Sequence, residues 1–481
     1  MAESVVIVGD LGTGSLRVAA VSSTGEVVAA EVAELSVDEP QPGWAELEPE
    51  RWWRALAEAT GRVLDALPPG CRADGLCLSG ATRAQVLLDG AGHVLRPALL
   101  FRDRRSAVEA ETLAAEAPTD DPAERITAFH PLARLAWIER HEPDVFARVA
   151  TLLEPKDWLN FRLTGALAAD AVTYSRFDSL LGLDGVLPPR LRRLVALLDL
   201  ERRWPWQLVG RINARAAPFD RLQGLPVFAG AMDTWAAAAG AGVVAPGQAY
   251  DVAGTSEAAG LLTDRRRRLP GLMSVLWAAG VYHVGGPTQA GADSAAWAHG
   301  VLRAEGRLDA AVNRAGALEP DPDRPVFLPY LAGERVPVWR SDLRGVFWGL
   351  SRSQGADDLL WSVLEGVALA VRDILSLAAD GSGIALHEVR VCGGGARSDG
   401  WCQLKADVLG LPVLRPRTTE TGLLGAALCA LIGLGRDADL TSAAARLCHI
   451  ERAFEPRPAH RALFGERAAL YRRLKGWALQ G

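Results

Sequence analysis

The apolar positions of this chain follow two rhythms. Short apolar runs that close on glycine turns read as strands, and runs with apolar residues three and four apart read as helices. Val5-Val6-Ile7-Val8 closes on Gly9-Asp10, a Gly12-Thr13-Gly14-Ser15 turn follows, and Leu16 to Val21 leaves it as a second run. With Thr24-Gly25-Glu26 as the next turn, residues 5–35 read as a β-meander. Gln248 to Leu262 repeats the strand–turn–strand arrangement, with Gly254-Thr255-Ser256 at its turn.

Between these hairpins, Glu50 to Leu67 reads as a helix with Trp53, Leu56, Ala57, Thr60, Val63 and Leu64 on one face, ended by Pro68-Pro69-Gly70. Gly75 to Gly80 is a buried strand entering the loop Ala81-Thr82-Arg83-Ala84-Gln85. Pro97 to Phe101 is a strand that delivers Arg102-Asp103-Arg104-Arg105. Residues 105–225 read as mostly helical and rich in loops. Leu225 to Asp233 is a strand ending in an acid, and a small-residue helix follows from Thr234. Gly242–Gly247 marks a domain boundary, giving domains 1–243 and 244–481. Pro325 to Tyr330 is a strand leading to Gly333-Glu334-Arg335. Leu360, Val363, Leu364, Val367, Val371, Ile374 and Leu375 mark a core helix. Glu388 to Cys392 is a strand running into Gly393-Gly394-Gly395 and a helix over 400–409, and Leu423 to Ile432 is a further small-residue helix.

Composition narrows the class. With 481 residues, 49% hydrophobic and 23% charged, the chain can fill two or three folded domains. A net charge of −6 offers no basic field for nucleic acid. The start Met1-Ala2-Glu3-Ser4 leads straight into a strand, and no long uncharged apolar run occurs, so no membrane association and a cytoplasmic location are expected. Six cysteines without a C-x-x-C pair and eight unclustered histidines read as free thiols and no zinc site.

The chemistry sits at the turns. Gly12 and Gly14 clear side chains from the backbone, Thr13 and Ser15 add hydroxyls, and successive N–H groups can form an anion nest. Asp10, at the strand end, can face the cation that accompanies a polyphosphate. Taken alone, this turn fits an ordinary hairpin equally well, and Asp233 fits a plain helix N-cap. Arg104 and Arg105 read as solvated charge at a helix start. Two such turns, one in each half, point to two similar domains facing one polyphosphate, as in actin, hexokinase and Hsp70.

The ordered set resembles the FGGY carbohydrate kinase family over essentially the whole chain, in its xylulokinase-like form. Asp10-Leu11-Gly12-Thr13-Gly14-Ser15-Leu16-Arg17 is similar to the first phosphate motif, and Pro42-Gly43-Trp44 with Pro49-Glu50-Arg51-Trp52-Trp53 to an N-terminal signature. Pro155-Lys156-Asp157-Trp158-Leu159 through Gly165, Gly230-Ala231-Met232-Asp233, Gly254-Thr255-Ser256, Leu328 to Arg335 and Gly393 to Ser398 match further motifs in order. The resemblance implies an α/β fold of two actin/hexokinase/Hsp70-type (ribonuclease H-like) domains with a cleft between them. It implies ATP and Mg²⁺, a small sugar such as a pentulose as acceptor, and a homodimer. Asp233 would be the catalytic base. Gly12, Thr13, Gly14, Ser15, Arg17, Gly254, Thr255 and Ser256 would hold the phosphates. Gly394, Gly395 and Ser398 would line the adenosine site, and Asp10 would hold the metal. Arg83, Phe101, Asp103 and Thr234 would join Asp233 at the sugar. The sugar would bind between the domains, and closure about a hinge near residue 244 would exclude water.

The substrate loop departs from the family. Xylulokinases carry Ser-Gly-Gln-Met-His-Gly where this chain has Ser79-Gly80-Ala81-Thr82-Arg83-Ala84. Phe101 replaces their Trp, and Thr234 follows the Asp where they often carry Asn. A glycerol- or erythritol-type polyol kinase, favoured by Asp103-Arg104-Arg105, is one alternative, and a non-catalytic nucleotide-binding member of the same fold is another. Arg83 either faces the pocket, to meet a carboxylate or several hydroxyls, or turns to solvent.

Overall fold

The computed structural model describes residues 4–177 and 189–480, so part of the 105–225 segment lies outside the described residues. The chain divides into two compact units, Met1–Ala236 with Gly422–Leu447 and Ala237–Thr421 with Cys448–Gly481.

The first unit is built on a six-stranded sheet with two parallel pairings, β1–β4 and β4–β6. Its strands are β1 (Ser4–Leu11), β2 (Ser15–Ser22), β3 (Val27–Glu34), β4 (Arg72–Gly80), β5 (Leu208–Arg211) and β6 (Pro226–Phe228). Their order is β5-β6-β4-β1-β2-β3. β1–β2–β3 is the expected antiparallel meander, while β1 and β6 both run parallel to β4. Helix α1 (Pro49–Asp65) lies against β2 and β3 and buries Trp52, Trp53, Leu56 and Val63. Trp53 packs on Phe219 at a tilt of 37°, with centroids 4.8 Å apart. β1 is buried at nearly every position because both its neighbours and both its faces are covered. The segment expected as a strand over 97–101 is extended only at Ala98–Leu99. The guanidinium of buried Arg134 takes the carbonyls of Leu99 (3.4 Å) and Leu100 (2.6 Å) that a longer ladder would use.

Residues 422–447 belong to this unit although the sequence reading drew one boundary at 243/244. The reason is backbone approach along the helix Thr421–Gly433. A Cβ on Gly425 would stand 2.0 Å from the Ala236 carbonyl oxygen, and one on Gly433 2.2 Å from the Phe228 ring.

The second unit repeats the plan. Its strands are β7 (Ala249–Ala253), β8 (Glu257–Thr263), β9 (Met273–Ala278), β10 (Val281–Pro287), β11 (Val389–Cys392), β12 (Val413–Pro416) and β13 (Ile450–Phe454). They form a sheet in the order β9-β10-β8-β7-β11-β12-β13. β7, β11 and β12 are parallel, and the pairs β7–β8, β8–β10 and β10–β9 are antiparallel. After helices α2 (Ala292–Leu302) and α3 (Leu308–Gly316), the core helix expected over 360–375 extends to α4 (Ala356–Ser382). The Asp358 carboxylate accepts the Gly355 N–H at its start, and left-handed Gly383 ends it. A shorter helix, α5 (Asp399–Leu409), follows the glycine triplet.

Gly230 has φ +65°, and a Cβ there would lie 1.7 Å from the Leu78 carbonyl oxygen. Gly230→Ala is therefore expected to destabilise the protein by about 3 kcal/mol, read as a lower midpoint in urea unfolding. An unchanged midpoint would show that β6 does not require this close approach to β4.

Candidate active site

In the first unit the site residues gather at the carboxyl ends of parallel strands, where open α/β sheets carry their ligands. Asp10 stands near the end of β1, in register with Ser79 on β4 and with Arg17 on β2. Its Oδ1 accepts a 3.2 Å bond from the Ser79 hydroxyl. Its Oδ2 faces Gly422, where an added Cβ would approach to 2.6 Å. The Gly12–Ser15 turn is closed by Gly12 N donating to Ser15 O at 2.9 Å. Neither Gly12 nor Gly14 adopts a positive φ. Gly14 has no atom within 4 Å of where a Cβ would sit, so what it gives the turn is open space.

Asp233 begins the next helix, Asp233–Gly240, beyond the end of β6. The preceding backbone is fixed twice, by Gly80 N to Ala231 O at 3.2 Å and by Met232 N to the Thr173 hydroxyl at 3.1 Å. The Asp233 carboxylate accepts from Thr234 N at 2.6 Å and from the Thr234 hydroxyl at 3.2 Å. Burial raises its pKa, Glu154 adds to the rise, and the Thr234 bonds and Arg176 oppose it.

The loop after β4 is held from beneath. Glu154 accepts the Ala84 N–H at 3.3 Å and pairs with Arg176. Arg134 bonds the Arg83 carbonyl. Arg83 sits at φ +60°, a conformation that side chains with a Cβ rarely adopt, and is half-buried. Its charge, after burial and together with Arg176 and Arg134, lowers the His130 imidazole to about 3. Phe101, Thr82, Ala81, Gly12 and Thr13 share one small cavity of about 20 Å³.

One expectation from sequence is corrected here, the solvent exposure of Arg105. Asp103, expected at the sugar, is fully buried and its oxygens are taken by Ala45 N (2.6 Å), Arg105 N (3.0 Å) and the Arg105 guanidinium. Arg105, expected in solvent, is enclosed between Asp103 and Glu46 and lies 3.7 Å over the Trp44 ring. The pair fastens the Trp44 loop, because a buried charge is retained only when partnered.

In the second unit the Gly254–Ser256 turn joins β7 to β8. Ala292 N donates to Gly254 O at 3.0 Å and Asp293 N to Thr255 O at 3.1 Å. Thr255 is exposed, and the Arg335 guanidinium donates to the Ser256 hydroxyl at 3.2 Å. Below the turn, the Lys405 ammonium pairs with Asp251 and with Glu257, the latter at 2.6 Å, and all three side chains are buried. Gly394 faces open space, but Gly395 packs against Ala253 and Trp401. Ser398, expected at the adenosine, caps α5 by accepting Trp401 N at 3.1 Å and donates to Asn313 at 2.8 Å. That is the N-cap role its residue type favours.

Sequence reasoning missed Arg134, Glu154, Arg176, Arg335 and the Asp251–Glu257–Lys405 cluster as site supports. A signal for the cluster was present. Lys405 interrupts the apolar spacing Trp401, Leu404, Val408, and Asp251 interrupts an apolar strand.

Residues 5–180 match the N-terminal domain of the FGGY family of carbohydrate kinases, and residues 249–434 match its C-terminal domain. Among curated relatives, a xylulose kinase of Escherichia coli K12 is 31% identical over 97% of both chains. A glycerol kinase of Aromatoleum aromaticum is 29% identical over 93% of both. The crystal structure of a xylulose kinase from Rhodospirillum rubrum superposes with a TM-score of 0.86 at 30% identity, covering 98% of this chain and 99% of that one. No described helix is long and apolar enough to cross a membrane.

Burial, and then Asp251, raises Glu257 from 4.5 to about 8 against the pull of Lys405. The folded protein keeps a proton that the unfolded chain releases above its ordinary carboxylate value. Stability present below that value is therefore lost as pH rises toward 8. Melting temperature is expected to fall between pH 5 and pH 8, and to fall less in Glu257→Gln, which cannot titrate. Glu334 and Asp157, each raised to about 7, act in the same direction, so the slope shrinks and does not vanish. An identical slope in the variant would remove Glu257 as a contributor.

Proposed function

The chain belongs to the FGGY family of carbohydrate kinases, and on that premise we propose that it phosphorylates a pentulose such as xylulose. It is an ATP-dependent sugar kinase. The pentulose reading is supported by what its 31% and 30% identical relatives are named for. The observation that carries the proposed chemistry is Asp233. It is a half-buried carboxylate at a helix start, held by its own neighbour Thr234 and with its pKa raised by burial.

In this reading Asp233 accepts the proton of the attacking sugar hydroxyl. That oxygen forms the new bond to the γ-phosphorus, the bond from the γ-phosphorus to the β–γ bridging oxygen breaks, and ADP leaves with that electron pair. Asp233 need not be a strong base, because the hydroxyl proton becomes acidic as the bond forms. The Gly12–Ser15 and Gly254–Ser256 turns, whose Gly12 and Gly254 N–H groups are already given to backbone carbonyls, hold phosphate oxygens through their remaining groups, and Arg335 orients the Ser256 hydroxyl. Gly394, open above its backbone, leaves a surface on which an adenine can lie.

Mg²⁺ fits the first unit. Among the described residues no group of three or more His, Cys, Asp or Glu could hold a metal. One carboxylate, Asp10, suits an ion that keeps several waters and takes phosphate oxygens as ligands. When bound, the ion offsets phosphate charge. The same reading has the enzyme act in the cytoplasm, where both substrates are dissolved.

Arg83 is the chain's own contribution to substrate choice. Its carbonyl is fixed by Arg134, and we assign its side chain to hydroxyls of the sugar. Asp103-Arg104-Arg105, which in sequence favours a polyol, places Asp103 and Arg105 in an ion pair beside the Trp44 ring.

Three measurements test this reading. ADP release with Mg-ATP over a panel of pentuloses, polyols and gluconate is expected to single out a pentulose, and turnover of a polyol alone would overturn that choice. Asp233→Ala should lower kcat by roughly 10³-fold while ATP still binds. Arg83→Ala should raise KM for the preferred sugar by about tenfold with ATP KM unchanged, and an unchanged sugar KM would remove Arg83 from the site.

A further inference from the structure

Outside the reacting groups, the second unit buries Lys405 with Asp251 and Glu257. The three side chains are 2%, 1% and 0% exposed. Stability alone is a weak reason for such a cluster. Taking three ionisable groups out of water is unfavourable, and well-packed apolar residues of similar volume often serve a core as well or better.

Its position is more informative. Asp251 lies on β7, three residues before Gly254, and Glu257 is the first residue of β8, directly after Ser256. One ammonium therefore bonds both strands of the hairpin that presents the turn. Lys405 itself sits on α5, the helix that Ser398 caps at the end of the Gly393–Ser398 loop. The Lys405 ammonium also lies 5.0 Å from the ring of Trp401, and that ring packs beneath Gly395. Loop and hairpin touch directly as well, since a Cβ on Gly393 would stand 2.7 Å from the Ala253 carbonyl oxygen.

We propose that Lys405 is a positioning residue for the nucleotide. By bonding α5 to both strands of the β7–β8 hairpin, it fixes the spacing between the Gly393–Ser398 loop and the Gly254–Ser256 turn. A ligand that touches only one segment does not sense that spacing, whereas ATP, which spans both, does. Binding energy from two linked contacts is realised in full only when the separation of the two sites matches the ligand. The inference rests on the reading that these two segments hold adenosine and phosphates.

The test compares the full chain with Asp251→Asn, which leaves Lys405 paired with one carboxylate, and with the charge-free triple variant D251N/E257Q/K405M. Dissociation constants for ATP and for adenosine are read by titration, alongside melting temperature and sugar KM. The expected result in each folded variant is an ATP constant raised about tenfold, with adenosine and sugar values within twofold of the parent. If D251N or the triple variant folds and binds ATP as the parent does, the inference fails. It fails equally if ATP and adenosine weaken together, which is what simple loosening of the unit would give. A parent chain that binds neither ATP nor adenosine would instead overturn the nucleotide reading of these segments. Should the triple variant not fold, the isosteric Asp251→Asn carries the test alone.

Discussion

Each unit encloses a lysine between two carboxylates. In the second unit Lys405 holds the hairpin through Asp251 and Glu257. In the first, Lys156 pairs with Asp157 at 2.5 Å and with Asp170 at 2.7 Å. From there the connections run on through Asp170, which caps a short helix at Thr173 N, and through the Thr173 hydroxyl, which receives Met232 N beside Asp233. Gly80, at the end of β4, is close enough to Lys156 that a Cβ would stand 3.3 Å from the lysine Cβ. Buried charges of this kind have few alternative arrangements, since any other packing leaves one unpaired. They fix where a loop begins, and exposed glycine and threonine backbone can then remain open for ligand.

The remaining supports follow the same logic. Arg134 and Arg105 are enclosed cations whose partners are carbonyls or a carboxylate on loop segments, and Arg176 is paired with Glu154. Loops offer no ladder to satisfy their main chain, so a planar guanidinium with several donors substitutes for a neighbouring strand. The loop after β4 is tied in this way, with Arg83 in left-handed backbone, although it contains no glycine between Ala81 and Gln85.

Much of this was legible in the chain itself. The β1–β2–β3 meander, α1, the strand-end aspartates and both Gly-Thr turns announce themselves by local pattern, because alternation, turn residues and acids at strand ends are properties of neighbours in sequence. The extent of β4 and of α4 was less legible, since their first turns or residues are polar and are kept in register by partners far along the chain. The fates of Asp103, Arg105 and Ser398 could not be read, because each depends on what fills the space around it. Arg105 looks solvated in sequence until Asp103 and the Trp44 ring are known to enclose it.

The helix Thr421–Gly433 has a consequence for how the molecule is made. Its glycines bring it against Ala236 and Phe228, and Gly422 walls one side of Asp10. A ribosome delivers β1 first, yet the first unit lacks a layer until synthesis has passed Leu447, long after residues 237–421 have emerged. The nascent first unit must therefore wait, with apolar β1 and β6 surfaces incompletely covered, while most of the second is already available to fold. Shielding of that waiting surface, by the unfinished sheet itself or by a chaperone, becomes a requirement of biosynthesis that the finished enzyme no longer displays.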